Sequence, residues 1–171
     1  MKGLGTALIT PFTEEGKVDF TALSTLIEHQ VAGGTDYLVI LGTTSEVPTL
    51  THQEQNAIIE YVVKHVAGRI PLVLGIGGNS TAAVVERIDE LKEQLVAHFV
   101  AILSVTPYYN RPQQEGLYLH FCEVAKASPV PVILYNVPKR TGVNLLPETT
   151  RRIYDAYPDK MMGIKEACNS V

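Results

Sequence analysis

Six short apolar runs recur along the chain at a nearly constant interval, and this repeat constrains the fold more than any other feature. The runs are rich in Val, Ile and Leu and begin 29 to 33 residues apart. They are LGTALIT, YLVILG, IPLVLGIG, FVAILSVTP, VPVILYN and MMGIK, beginning at Leu4, Tyr37, Ile70, Phe99, Val130 and Met161. Continuous apolar runs of this length are typical of strands buried on both faces of a parallel sheet, because half-exposed strands alternate polar and apolar residues.

The segments between these runs have the spacing of amphipathic helices. One helix is predicted to begin after Thr51, where Glu54 completes a capping-box pattern, and to end at Gly68. The remaining helices are predicted at 19–32, 80–97, 113–126 and 147–157. Strand and helix units of about 30 residues without a linker predict right-handed βαβ crossovers in a single domain, residues 1–171.

Both an open doubly wound sheet and a closed barrel satisfy this repeat. The loop GIGGNST after the third run matches neither GxGxxG nor GxxxxGK[ST], which argues against an open nucleotide-binding sheet. A closed eight-stranded α/β barrel is therefore favoured, although such barrels usually need about 250 residues. In a chain of 171 residues we expect the first six βα units of a TIM (β/α)8 barrel, with the last two strands absent.

Composition excludes several classes of protein. The chain has 14 Lys and Arg against 18 Asp and Glu with no basic run, so nucleic acid is not an expected partner. The five His and two Cys show no metal-ligand spacing, so no metal is expected. The N-terminal apolar stretch is too short for a secretion signal or a membrane span, so we expect a cytoplasmic protein that does not bind membranes.

Two candidate catalytic residues end the last two runs. Lys165 closes the sixth run, and a desolvated lysine loses proton affinity and can attack a ketone to form a Schiff base. Alternatively, its ammonium simply reaches solvent. Tyr135 closes the fifth run, where its phenol could transfer the protons of imine formation or belong to the core. In a parallel barrel both residues would lie at the rim that carries chemistry.

Other strand ends offer groups that could bind anions. Thr43 and Thr44 follow the second run and suit a small carboxylate, although such a pair also forms helix caps and turns. Tyr108 and Tyr109 follow the fourth run in a loop, which favours a partner surface or a site over burial. Arg140 could bind a second carboxylate through its planar fork or remain a solvated charge.

Several segments also resemble one protein family. They run in family order over essentially the whole chain: GTALITPF, GTTSE, GRIP, TPYYNRPQQEGLYLHF, LYNVPKRTG with LLPET, and GIKEA. The chain resembles the dihydrodipicolinate synthase family of pyruvate-dependent class I aldolases, to which N-acetylneuraminate lyases are related. The resemblance implies a lyase with a (β/α)8 barrel that condenses pyruvate with aspartate 4-semialdehyde in lysine and diaminopimelate biosynthesis. It also implies a homotetramer, built as a dimer of dimers.

The resemblance assigns roles to individual residues. Lys165 would form the Schiff base with pyruvate, so no separate cofactor is expected. Tyr135 would donate and accept protons and would be linked through Thr43 to Tyr109, which enters the site of the neighbouring subunit. The carboxylates would be bound by Thr44 for pyruvate and by Arg140 for the semialdehyde.

The family's lysine-effector pocket is only partly matched. His52, Asn79 and Tyr108 correspond to it, but Gln55 and Ala83 replace a histidine and a glutamate. Without that carboxylate an incoming ammonium lacks a charge partner. We therefore expect weak or absent feedback inhibition by lysine.

Two other departures concern a turn and the length of the chain. Ser45 stands where glycine is common, a mild change if the turn there does not need a positive φ. Family members are longer by two strands, their helices and a C-terminal helical segment, so we expect a fragment with open sheet edges that folds poorly. Two alternative functions are another pyruvate-dependent aldolase acting on a sugar acid and a non-catalytic remnant that only associates with other subunits.

Overall fold

The structure, a computed structural model, describes residues 1–168, so the predicted domain 1–171 extends three residues beyond the described part. The chain forms two compact units. The first comprises Met1–Gly75 and the second begins at Ile76. Each unit contains three parallel strands and helices, as the repeat of apolar runs predicts.

The first unit contains three strands and two helices. They are β1 (Gly5–Ala7), α1 (Phe20–Ala32), β2 (Tyr37–Ile40), α2 (His52–Val66) and β3 (Leu72–Gly75). The strands pair in chain order, with Thr6 opposite Leu38 and Val39 opposite Val73. Leu38 and Val73 project from opposite faces of these strands, and both are completely buried, so both faces contribute to the core.

Side-chain caps determine where both helices begin. The carboxylate of Asp19 accepts a first-turn backbone N–H of α1 at 2.9 Å. Thr51 and Glu54 form the predicted capping box at the start of α2. This helix ends at Val66, two residues before the predicted end at Gly68, and the residue that caps it, Ala67, has a φ of 49°. The capping box of α2 is therefore read correctly from the sequence, because capping is a local interaction, whereas the cap at Asp19 was not predicted.

The loop after β2 packs closely against the end of β3. Leu41 has a φ of 51°, and Gly42 then leads into a 3₁₀ turn, Thr43–Ser45. A side chain at Gly75 would overlap the carbonyl oxygen of Leu41. Glycine is therefore required at the end of β3, because the two backbones approach too closely for a Cβ.

The second unit contains three strands and five helices among the described residues. They are α3 (Thr81–Glu90), α4 (Lys92–His98), β4 (Ala101–Val105), α5 (Gln114–Ala127), β5 (Val132–Asn136), α6 (Pro138–Thr141), α7 (Pro147–Ala156) and β6 (Met161–Glu166). The strands pair in chain order, with Leu103 opposite Ile133 and Tyr135 opposite Lys165.

Two helices of this unit differ from the prediction. The helix predicted over 80–97 is broken at Leu91, whose φ of −96° and ψ of 6° are not helical. Leu91 and Leu95 are both buried, so the apolar periodicity continues across the break and conceals it. Helix α6 was not predicted, since four residues are too few to show a helical period.

Strand β6 is more exposed than the sequence predicts. Met162 and Ile164 are 38% and 40% exposed, whereas β5 is mostly buried. Within residues 1–168, β6 pairs with β5 alone. The expectation that every apolar run is buried on both faces is therefore wrong for β6, because burial depends on neighbours that a strand's own sequence does not specify.

A buried asparagine joins the ends of β5 and β6. The Asn136 side chain is completely buried, and its amide nitrogen donates to Oδ1 of Asn144 at 2.7 Å and to Oε2 of Glu166 at 2.9 Å. Its amide oxygen accepts the backbone N–H of Leu145 at 3.0 Å. Asn136 therefore connects both strand ends to the segment that precedes α7.

We expect Asn136→Ala to lower the free energy of unfolding by about 2–4 kcal/mol, because it leaves the buried N–H of Leu145 without an acceptor. Urea denaturation followed by circular dichroism measures this change. Asn144→Ala is the matched control, since Asn144 is exposed and loses only its contact with Asn136. Equal losses in the two variants would contradict a special role for Asn136.

Candidate active site

Lys165 and Tyr135 lie side by side on adjacent strands. They are register partners of β6 and β5, and paired residues of neighbouring parallel strands project from the same face. The Nζ atom of Lys165 lies 4.5 Å from the centroid of the Tyr135 ring. The structure therefore brings together the predicted nucleophile and the predicted proton carrier, with the amine over the ring face.

The amine of Lys165 is partly desolvated. Desolvation lowers the pKa of the Lys165 amine below its usual value, because partial burial disfavours the charged state. The residue is exposed along its strand, but its amine lies over the aromatic ring of Tyr135, which is 7% exposed. A larger fraction of this amine is therefore available as a nucleophile near neutral pH than for an ordinary lysine.

The carboxylate of Glu166, the residue after Lys165, is bound by hydrogen bonds to other groups. Burial raises the pKa of Glu166, but hydrogen bonds from Asn136 and from the backbone N–H groups of Ala167 and Cys168 outweigh it and hold the pKa below its usual value. Side chains alternate along a strand, so Glu166 projects from the face opposite Lys165. Its negative charge is bound to Asn136 and does not form an ion pair that would keep Lys165 protonated.

A second group of predicted residues lines one open cleft in this unit. The cleft has a volume of about 690 Å³, and Tyr109 at its edge is 89% exposed. Its lining comprises Tyr108, Tyr109, Arg111, Lys139, Arg140, Thr141 and Gly142. The structure thus places the tyrosine pair and the predicted carboxylate-binding arginine around the same space.

Four residues of this cleft were missed from the sequence, namely Arg111, Lys139, Thr141 and Gly142. All four lie inside the segments TPYYNRP and YNVPKRTG, so their position next to the tyrosines and Arg140 was the signal that could have identified them. Gly142 has a φ of 73°, and a Cβ there would lie 2.8 Å from Nε of Arg111. Glycine therefore allows the Arg111 guanidinium to lie against this turn.

The two threonines lie in the first unit. Thr43 and Thr44 are exposed on the 3₁₀ turn after β2. The next residue, Ser45, is buried, and its hydroxyl donates to the carbonyl of Leu8 at 2.6 Å, while the Thr10 hydroxyl donates to the Ser45 carbonyl at 2.9 Å. Ser45 has no positive φ, so the serine fits this turn without strain and gains a hydrogen bond.

The residues that correspond to the effector pocket lie in both units. In the first unit, His52 is exposed at the start of α2, and the buried Gln55 donates its side-chain amide to the carbonyl of Leu50 at 3.1 Å. In the second unit, Asn79 is exposed and Tyr108 is half-buried at the cleft. The side-chain amide of Gln55 is buried and bound to the Leu50 carbonyl. It therefore does not replace the missing histidine as an exposed donor.

Neither a metal-type cluster nor a membrane-spanning helix occurs among residues 1–168. Among residues 1–168, no group of three or more His, Cys, Asp or Glu side chains could hold a metal ion. In the same part of the chain, every helix falls short of the length and apolar character that crossing a membrane requires.

Comparison with known proteins identifies relatives over the whole chain. The model of the Dihydrodipicolinate synthetase family matches residues 1–171. A 4-hydroxy-tetrahydrodipicolinate synthase from Parabacteroides distasonis is 53% identical over 171 residues, which are 100% of this chain and 56% of that protein. The chain therefore spans little more than half the length of the curated relatives it matches.

Solved structures give the same assignment. A dihydrodipicolinate synthase from Aquifex aeolicus matches with a TM-score of 0.91 and 42% identity, covering 99% of this chain and 56% of that one. A chloride-inhibited dihydrodipicolinate synthase from Acinetobacter baumannii, complexed with pyruvate, matches with a TM-score of 0.92, 40% identity and the same coverages. The predicted fold class, the first six βα units of a (β/α)8 barrel, is confirmed. With its fold and its whole sequence matched, the chain belongs to the dihydrodipicolinate synthetase family.

Proposed function

We propose that this chain carries the Schiff-base site of a 4-hydroxy-tetrahydrodipicolinate synthase, a lyase that condenses pyruvate with L-aspartate 4-semialdehyde in lysine and diaminopimelate biosynthesis. The observation that supports the proposal most is the partly desolvated Lys165 amine over the ring of Tyr135. The pyruvate complex of the Acinetobacter relative supports a keto acid as the first substrate.

The reaction begins when the neutral amine of Lys165 attacks the carbonyl carbon of pyruvate. The resulting carbinolamine loses water to form an imine, and loss of a proton from the methyl carbon gives an enamine. The enamine carbon then attacks the aldehyde carbon of the semialdehyde, whose oxygen takes up a proton. Tyr135 is the proton donor and acceptor in this proposal, and Thr43 and Tyr109 keep the relay roles that the resemblance implies.

The imine itself supplies the electron sink, so the proposed reaction needs no separate cofactor. A protonated imine withdraws electrons from the adjacent carbon and stabilises the developing enamine. Thr44 is proposed to bind the carboxylate of pyruvate. Arg140 is proposed to bind the carboxylate of the semialdehyde, for which its position in a cationic cleft is suited.

The proposal extends to assembly and regulation. Residues 1–171 form one partial barrel domain of a cytoplasmic homotetramer, in which the exposed Tyr109 reaches a neighbouring subunit. His52, Asn79 and Tyr108 belong to a lysine-effector pocket that binds lysine weakly, because Ala83 supplies no carboxylate for the effector's ammonium.

We expect borohydride reduction in the presence of pyruvate to add one carboxyethyl group to Lys165, which intact-mass and peptide mass spectrometry detect. Lys165→Ala should remain unmodified. Lys126→Ala, which removes an exposed lysine of α5, should be labelled like the unchanged chain. An unmodified Lys165 in a sample whose circular dichroism shows folded protein would refute the proposed chemistry and favour a non-catalytic remnant.

The pKa of Lys165 should determine how the rate of this labelling depends on pH. The amine attacks only when neutral, so the rate rises with pH and levels off above the pKa of Lys165. Desolvation lowers that pKa from 10.5, so the rise should occur at lower pH than for Nα-acetyl-lysine, whose side chain titrates at about 10.4. Identical pH profiles would show that the site does not activate the amine.

Tyr135→Phe should slow imine formation by about 10²–10⁴-fold, because it removes the phenolic hydroxyl but keeps the aromatic ring under the amine. The measurement is the initial rate of trapped adduct, with circular dichroism as the check on folding. Tyr135→Ala is a companion variant that removes the ring as well. An unchanged rate in Tyr135→Phe would exclude the phenol as the proton carrier.

The substrate that is turned over distinguishes the proposed synthase from another pyruvate-dependent aldolase. We expect turnover with aspartate semialdehyde and none with a sialic acid when each is supplied under the same conditions. Turnover of the sugar acid alone would identify a different pyruvate-dependent aldolase.

A further inference from the structure

The cleft of the second unit concentrates positive charge in a chain that is negative overall. The chain has a formal net charge of −4. The lining of the cleft nevertheless includes Arg111, Lys139 and Arg140 and contains no Asp or Glu. A cleft with charges of one sign raises the local concentration of ions of the opposite sign.

These three cations have no acidic partner in the described part of the chain. No carboxylate of residues 1–168 lies within 4.0 Å of a side-chain nitrogen of Arg111, Lys139 or Arg140. The ion pairs that the structure contains are Arg69 with Glu28, Arg87 with Glu90, Arg151 with Asp155 and Arg152 with Glu115. The positive charge of the cleft is therefore available to a ligand.

The backbone around the cleft is shaped to hold these side chains. Tyr109 and Arg111 have φ values of 71° and 48°, which side-chain-bearing residues rarely adopt and which are frequent at ligand-binding turns. The side-chain amide of Asn110 donates to the backbone carbonyl of Asn79 at 2.8 Å and anchors the loop that carries Tyr109 and Arg111. Gly142 leaves room for the Arg111 guanidinium, as described above.

A ligand with a single carboxylate does not match the number of cations in the cleft. The semialdehyde carboxylate proposed for Arg140 carries a single negative charge and would leave Arg111 and Lys139 without a counter-charge. An anion with two negative charges can contact the planar fork of an arginine and a second cation at once. The cleft, at about 690 Å³, has room for such an ion.

We propose that Arg111 and Lys139, together with Arg140, form a binding site for small dianions, the chemistry shared by dicarboxylates and inorganic phosphate. A bound dianion competes with the semialdehyde carboxylate and thereby inhibits condensation. The competition rests on the proposed function of Arg140, whereas the binding itself does not.

The test is calorimetric titration of the chain with malonate, inorganic phosphate and acetate in chloride-free buffer at constant ionic strength. We expect malonate, phosphate or both to bind one per chain and at least about tenfold more tightly than acetate, because a second charge-assisted contact forms. Malonate alone would identify dicarboxylates as the ligand class, and phosphate alone would identify phosphates. Acetate binding as tightly as both dianions would overturn the proposal.

Variants locate the site. Arg111→Gln and Lys139→Gln should each weaken dianion binding by about tenfold, whereas Lys126→Gln, which removes an exposed lysine outside the cleft, should leave it unchanged. Lys139 is exposed, so Lys139→Glu provides a charge reversal that does not depend on whether Arg111→Gln folds. Unchanged affinity in Lys139→Glu, in a sample with unaltered circular dichroism, would overturn the proposal.

Pyruvate labelling of the same samples separates this inference from the proposed function. Dianion binding without a pyruvate adduct would support the site and refute the Schiff-base proposal. An adduct without dianion binding would refute the site and leave the Schiff-base proposal intact.

Discussion

The parallel pairing of β5 with β6 is the interaction on which the candidate active site depends. Its register sets Tyr135 opposite Lys165 and, one residue further, Asn136 opposite Glu166. Because side chains alternate along a strand, the first pair projects from one face and the second from the other. One face therefore carries the proposed chemistry, while on the other the buried Asn136 holds the end of β6 by its hydrogen bonds to Glu166.

The second unit uses its cations in two opposite ways. Partial burial lowers the pKa of Lys165, so a larger fraction of its amine is neutral than for an ordinary lysine, as its proposed role as a nucleophile requires. Arg111 and Arg140 instead lie at an open cleft that has no Asp or Glu in its lining. A partly desolvated amine and a cationic cleft are both consistent with the proposed keto-acid chemistry.

Much of the local structure could be predicted from the sequence. All six strands follow from apolar runs, and α2 begins where its capping box indicates, because these signals act within a few residues. Prediction failed where a local pattern was ambiguous or where neighbours decided the outcome. The break at Leu91 lies inside continuous apolar periodicity, and the exposure of Ile164 depends on what packs against β6.

The sequence by itself determined the repeat of strands and helices, the placement of Lys165 and Tyr135 near strand ends and that of Arg140 shortly after one, since these depend on spacing along one chain. Only the tertiary structure decided that the Lys165 amine lies over an aromatic ring, because a register between strands is a long-range relation. It also decided that Arg111 and Lys139 share a cleft with Arg140. Segments separated in sequence meet only when the chain folds, so their combined charge cannot be read from either segment alone.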